Sequence, residues 1–286
     1  MITIKTPATS ANVGPGFDCF GLALNLYNTF EVELSSSNTL ENVEERFNNE
    51  DNLFLKAYQR GCQAIGILDS IHAIFHTEIP VSRGLGSSSS LIVGGLYAAS
   101  ALHNNALSKD QIFQLASELE GHPDNVAPCI YGGFTASLNV NDTFLTQSIP
   151  LDSSWKYTIF IPDFEVSTQK ARSILPESYP RNIVTKSTSH AALLLEALRN
   201  GDLSLLKIVS EDFIHEPYRK ELIHEFDTLK SYLQDLGAFL ISGSGSTCIL
   251  ISKDQLTKEQ KEKIQSLKHH WQIKELDIAE KGVVIS

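Results

Sequence analysis

The stretch PVSRGLGSSSS, residues 80–90, packs three glycine or proline breakers and five serines directly against the apolar, small-residue run LIVGGLYAASAL. A chain with this junction must turn sharply and then enter a helix that is buried on most sides. Glycine permits positive φ and close backbone approach, so Gly84 and Gly86 let several backbone N–H groups turn toward one point. Ser87–Ser90 stand where the helix begins, and serine is a favoured cap. The first N–H groups of a helix have no partner within it and lie at the positive end of its dipole. Such an arrangement attracts anions, phosphate above all, and a serine hydroxyl there can ligate Mg²⁺. The same residues also suit a loop that does no more than cap a helix. The chain has no G-x-x-x-x-G-K-[ST], and no G-x-G-x-x-G after a strand, which removes the common nucleotide P-loop and the dinucleotide fold.

Two further glycine-rich segments accompany the first. PATSANVGPGFDCFGLAL (7–24) carries Asn12 and Asp18 in a glycine-broken loop, and SGSGSTCILI (242–251) reads as a glycine-serine turn before an apolar strand. Together the three segments suit a ligand with several phosphates and a polar head. A net charge of −11 argues against nucleic acid, whose binders carry a basic face, and requires any anionic ligand to be attracted locally.

With 286 residues, 42% of them hydrophobic and 20% charged, the chain can build one large or two ordinary cores. The four cysteines, Cys19, Cys62, Cys129 and Cys248, are scattered without a C-x-x-C pair and read as buried small hydrophobes of a reducing compartment. The start lacks the apolar core of a signal peptide, and the run 91–102 is too short to cross a bilayer, so a soluble cytoplasmic protein with no membrane partner is expected.

Alternation and periodicity predict strands at 2–6, 29–35, 71–79, 131–140, 156–163 and 271–278, and two more around the turn at 243–247. Helices are predicted at 51–66, 87–103, 108–119, 188–200, 202–214, 219–236 and 253–270. PLDSSW (150–155) reads as a linker between two α+β domains, 1–152 and 153–286.

PVSRGLGSSSS matches the G-L-G-S-S signature of the superfamily of galactokinases, homoserine kinases, mevalonate kinases and phosphomevalonate kinases, the GHMP kinases. PATSANVGPGFD resembles the superfamily's first motif in its homoserine kinase form, and SGSGSTC resembles its third. EGHPDNVAP (120–128) and EVSTQKAR (165–172) are also similar to homoserine kinases. The resemblance implies a two-domain GHMP kinase fold, with a left-handed βαβ crossover in the N-terminal domain and a ferredoxin-like C-terminal domain. It implies transfer of the γ-phosphoryl of ATP to the side-chain hydroxyl of L-homoserine, in threonine biosynthesis, and leaves room for a homodimer.

The residues can be assigned on the same basis. Pro80, Val81, Ser82, Arg83, Gly84, Leu85, Gly86, Ser87, Ser88, Ser89 and Ser90 would form the ATP cradle, with Asn52 near the adenine. Ser88 and Glu120 would hold Mg²⁺. Arg172 and Arg219 would bind the substrate carboxylate, since guanidinium pairs with carboxylate bidentately, and Asp18 with Asn12 would receive the ammonium. Thr168, one helical turn before Arg172, together with His122 and Gly243, completes the substrate pocket. Asn125 would bond either the reacting hydroxyl or the γ-phosphate, and the expected catalytic residues are Asn125, Asp18 and Glu120. Asp18 is the one candidate base, although phosphoryl transfer proceeds largely by positioning and charge neutralisation. Two local departures stand out. Many homoserine kinases have several extra residues between the equivalents of Glu120 and His122, and after Arg219 the family's LIPGF is here LIHEF.

Overall fold

The computed structural model describes Met1–Ser286. In the N-terminal part β1 (Ile2–Ala11), β2 (Phe20–Ser35) and β3 (Thr39–Glu41) precede α1 (Leu53–Ala64) and β4 (Ser70–Thr77). Helices α2 (Ser87–Leu102), α3 (Lys109–Glu120) and α4 (Val126–Tyr131) follow, then β5 (Phe134–Val140) and β6 (Thr143–Ile149). The remainder contains β7 (Lys156–Pro162), α5 (Thr168–Ser173), α6 (Arg181–Asn200), α7 (Leu203–Val209), α8 (Glu216–Arg219) and α9 (Phe226–Leu233). It ends with β8 (Gly237–Ile241), β9 (Cys248–Ser252), α10 (Lys258–Gln265), β10 (Trp271–Leu276) and β11 (Val284–Ile285).

The first sheet runs β11-β1-β2-β4-β3, with β5 beside the start of β2 and β6 beside β5. β1 and β2 pair antiparallel from Ile2 opposite Val32 to Ala11 opposite Gly21, with a register shift between Pro7 and Ala8. Proline cannot donate to a ladder, so the irregularity falls where the sequence forces it. Ile4, Phe30 and Val32 pack against Phe54 and Tyr58 of α1 and Ala98 of α2. The two glycines in the middle of α2 meet different neighbours: a Cβ on Gly95 would lie 2.2 Å from the Phe54 carbonyl oxygen, so glycine there lets α1 and α2 approach this closely, and a Cβ on Gly94 would lie 2.8 Å from the Phe30 ring of β2.

The second sheet runs β10-β7-β9-β8, with every adjacent pair antiparallel. The order of strands and helices is the βαββαβ of ferredoxin-like domains, as expected. The two sheets share one core. Leu22, Leu24 and Leu26 of β2 meet Tyr157, Ile159, Leu240 and Ile249 in a single cluster. The 150–155 connection is pinned as well, because the buried Trp155 donates its Nε1–H to the Leu198 carbonyl at 2.7 Å. No helix is long and apolar enough to cross a membrane.

Several expectations need correcting. The segment 153–286 does not stay in the second half: β11 pairs with β1, Ile4 opposite Ile285, and so supplies the edge strand of the first sheet. An edge strand offers unpaired backbone groups, and the last residues cover them. The helix expected over 202–214 ends at Val209, because Asp212 Oδ2 accepts the N–H groups of Ile214, His215 and Glu216 and starts α8 instead. The helix expected over 219–236 is interrupted at Glu225, whose φ is +63°. β1 continues through 7–11, which was expected as loop, because its small side chains are buried on both faces and show no alternation.

Candidate active site

A cavity of about 530 Å³ opens where the β1–β2 turn, the 80–88 loop, the α3–α4 connection, α5 and α8 converge. Its two ends differ in chemistry. One is formed by the glycine loop, the start of α2 and the 42–53 segment. The other holds Asp18, His122, Thr168, Arg172, Arg219 and Gly243.

The helix α2 begins at Gly86, which is left-handed (φ 68°, ψ 28°), and no serine side chain caps it. The serine cap expected from sequence is therefore replaced by a glycine turn, which leaves the first-turn N–H groups without an intrahelical acceptor. Val81, Ser82, Arg83, Gly84, Gly86, Ser87 and Ser88 line the cavity. Pro80, Leu85, Ser89 and Ser90 do not. Leu85 is in the core, Ser89 is fully buried, and Ser90 Oγ lies 2.9 Å from Thr6 Oγ1 and accepts from Asn28 Nδ2 at 2.8 Å. Ser90 also donates its N–H to the Gly86 carbonyl, so both its groups serve the fold. The Arg83 side chain turns to the second half, donating Nε–H to the Pro162 carbonyl at 3.2 Å and pairing with Glu165 at 3.2 Å. Asn52 reaches the wall, but its Oδ1 caps α1 through Phe54 N–H at 2.9 Å and its Nδ2 donates to the Phe47 carbonyl.

The third glycine segment braces the loop. Ser242 Oγ donates to the Gly84 carbonyl at 2.6 Å, and Thr247 donates its N–H to the Arg83 carbonyl. Behind Gly86, Thr9 Oγ1 donates to Asn125 Oδ1 at 2.7 Å, and a Cβ on Gly86 would sit 1.9 Å from that hydroxyl oxygen. Gly86→Ala is therefore expected to lower stability by about 2 kcal/mol, since it adds both a positive-φ penalty and a clash. A denaturant titration reads it, and an unchanged midpoint would show that the turn tolerates a side chain.

Ser88 Oγ donates to Glu120 Oε2 at 2.7 Å, across 32 residues of sequence, and both line the cavity. A hydroxyl and a carboxylate oxygen are thus already adjacent, which is the hard-oxygen chemistry Mg²⁺ selects. Asp18, His122 and Asp124 also bring one ligand atom each within 4.8 Å of one another. That group is less suited to Mg²⁺. Both Asp18 oxygens are held by Arg172, and Asp124 Oδ1 accepts from the Asn125 N–H at 3.0 Å and lies 2.5 Å from His122 Nδ1.

At the other end Asp18 and Arg172 form a bidentate ion pair at 2.8 and 3.1 Å. Their side chains are 35% and 38% exposed, so the pair faces the open cavity. Asn12 organises the turn: its Oδ1 accepts the Asp18 N–H at 3.0 Å and its Nδ2 donates to the Gly243 carbonyl at 2.8 Å. Arg219 is 2% exposed, with Nε donating to the Ala171 carbonyl and Nη1 to the Gly243 carbonyl. Burial and the neighbouring Arg172 charge push its pKa down to about 10, so this end of the cavity favours an added anion. Thr168 Oγ1 lies 3.4 Å from Ser244 Oγ. Burial would lower the His122 pKa, but the Asp124 hydrogen bond and charge, with Glu120, outweigh it and raise the pKa.

All the expected substrate-side residues meet in one cavity. Thr9 and Asp124, which hold Asn125 and His122, and Ser242, which braces Gly84, do not stand out in the sequence. All three lie inside the quoted motifs, but short polar residues in glycine-rich segments carry no distinguishing local signal.

The family model "GHMP kinases N terminal domain" matches residues 52–133, and "GHMP kinases C terminal" matches 194–268. The chain is 39% identical over 294 residues to a homoserine kinase of Clostridium botulinum (strain ATCC 19397 / Type A), covering 100% of this chain and 99% of that protein. It is 38% identical over 300 residues to a homoserine kinase of Clostridium acetobutylicum, covering both fully. The crystal structure of a homoserine kinase from Cytophaga hutchinsonii ATCC 33406 superimposes with a TM-score of 0.90 at 28% identity, over 100% of this chain and 97% of that one.

Proposed function

Because the chain belongs to the GHMP kinase family, we propose that it is a homoserine kinase, transferring the γ-phosphoryl of ATP to the side-chain hydroxyl of L-homoserine. One observation carries this reading. A single cavity joins a phosphate-type end, built from Gly84, Gly86 and Ser88–Glu120, to an amino-acid-type end built from Asp18, Arg172 and Arg219.

The roles follow from the groups each residue has to offer. N–H groups of the glycine turn and the first turn of α2 receive the phosphates. Ser88 and Glu120 would hold Mg²⁺, which when bound neutralises charge on the β- and γ-phosphates. Arg172 and Arg219 take the carboxylate of homoserine, and Asp18 takes its ammonium. The Asn125 Oδ1 is committed to Thr9, so its Nδ2 is the group left to donate to the acceptor oxygen or the γ-phosphoryl. Asp18 is engaged by charge pairing and is not required as a base, because the transition state is loose and positioning dominates.

Coupled measurement of ADP release with Mg²⁺-ATP and a panel of hydroxy amino acids, sugars and mevalonate-like acids tests the reading. Release is expected with L-homoserine and at background level with the sugars and mevalonate-like acids. Preferred turnover of a sugar or a hydroxy acid would assign the chain to another branch of the family, and no turnover with any acceptor would leave it a nucleotide-binding protein.

A further inference from the structure

Behind the acceptor end lies a second set of buried charged and titratable groups, Asp212, His215, Glu216 and Arg219, in the segment where the expected long helix breaks. Asp212 Oδ2 gathers three successive N–H groups, at 3.2, 2.7 and 2.7 Å, and this fixes His215 at the start of α8. His215 is 1% exposed. Its Nε2 lies 3.3 Å from the Gly14 carbonyl, and its ring stacks on Phe17, with centroids 5.5 Å apart at 27°. The guanidinium carbons of Arg219 and Arg172 lie 5.1 and 5.8 Å from the centre of that same Phe17 ring. Gly14 and Phe17 belong to the turn that begins at Asn12 and ends at Asp18. The turn therefore contacts His215 through Gly14 and Phe17, and both substrate arginines through the same Phe17 ring.

Resting on the functional reading above, we propose that His215 is a positioning residue for the acceptor: it donates Nε2–H to the Gly14 carbonyl and supports Phe17, and so holds Asp18 in register with Arg172. A carbonyl accepts only, so the imidazole must carry its proton on Nε2 for this contact. The neutral form meets that need. Burial, with the Arg219 charge, holds the His215 pKa below its ordinary value against the opposing pull of Asp212, the Gly14 carbonyl and Asp18. A cationic ring would add a third positive charge beside two guanidiniums. Without the contact the Gly14 carbonyl loses a buried donor and the turn can shift. The spacing between Asp18 and the two guanidiniums, which the ammonium and carboxylate of the acceptor must match, is sensitive to such shifts. The ATP end is built from other segments, so the effect should be confined to the acceptor.

The test compares His215→Phe, which keeps a ring but no donor, with His215→Gln, which restores an amide donor near the Nε2 position, and with Phe17→Leu. His215→Phe is expected to raise the KM for homoserine about 10-fold, the loss of one buried hydrogen bond, with the KM for ATP within about twofold. His215→Gln should recover much of that, and Phe17→Leu should shift the same constant in the same direction. An unchanged homoserine KM in His215→Phe, equal rises in both KM values, or a glutamine no better than phenylalanine would overturn the role. If His215→Phe does not fold, the same split in KM is read from Phe17→Leu, with His215→Gln expected close to the parent, and its absence in Phe17→Leu overturns the role equally. Homoserine-dependent turnover by the unaltered enzyme is measured first. Its absence would remove the functional reading and this role together, whereas turnover with an unshifted KM removes only the role of His215.

Discussion

Replacing Asp18 by asparagine should raise the KM for homoserine about 100-fold, while the KM for ATP stays within about twofold, because one partner of a charge pair is lost at a partly desolvated site. The basis is the bidentate pair of Asp18 with Arg172. In this structure the two groups meant for opposite charges satisfy each other. Both are more than a third exposed, so solvent screens the pair and it is cheap to open. A zwitterion can open it without leaving either charge alone: the ammonium takes Asp18, and the carboxylate takes Arg172 and the buried Arg219. A molecule with only one of the two charges leaves one partner uncompensated. The enzyme should therefore discriminate against 4-hydroxybutyrate, which lacks the amine, by about 100-fold, and in Asp18→Asn that discrimination should largely vanish. Steady-state kinetics with both acceptors reads the result. A large fall in kcat with both KM values unchanged would instead mean that Asp18 removes the hydroxyl proton.

Legibility followed how local each feature is. The α2 junction could be read because a polar glycine turn against a small-residue run has few other uses, and the structure places the cavity there. Which serines face the ligand could not be read. Ser88 and Ser90 are neighbours of one type, and only the packing of Thr6 and Asn28 decides that Ser90 turns inward. The Ser88–Glu120 and Asp18–Arg172 pairs were reachable through family motifs, though each joins distant segments. The Asp212 carboxylate broke a helix that periodicity supported, because a side chain competing for backbone N–H groups leaves no trace in the apolar spacing. The return of β11 to β1 was hidden for the same reason: strand pairing between the two ends of the chain is not written in either end alone.

Replacing Glu120 by glutamine should lower kcat about 100- to 1,000-fold, as loss of a charged metal ligand at a phosphoryl-transfer site would. The same change should not cost stability, and this contrast separates a metal ligand from a structural residue. Glu120 is the last residue of α3, and Gly121, with a φ of +88°, ends the helix directly after it. The C-terminal end of a helix carries a negative partial charge, so a carboxylate there is unfavourable by about 0.5 kcal/mol. The Ser88 hydroxyl offsets part of that with one hydrogen bond at 2.7 Å, which a glutamine carbonyl can still accept. The carboxylate thus sits between the negative end of α3 and the positive end of α2, whose first-turn Ser88 contacts it, so the two helix ends largely offset each other and the charge adds little to the stability of the unliganded fold. In thermal unfolding the glutamine variant should match the parent without nucleotide. It should also lose the extra stabilisation that Mg²⁺ adds on top of ATP, because a ligand stabilises only the state it binds. Raising Mg²⁺ should restore part of kcat in Ser88→Ala, which keeps the carboxylate, and less in Glu120→Gln. If activity and unliganded stability fall together, or if Mg²⁺ stabilises the glutamine variant as much as the parent, Glu120 is a helix-end contact and the cation is held elsewhere.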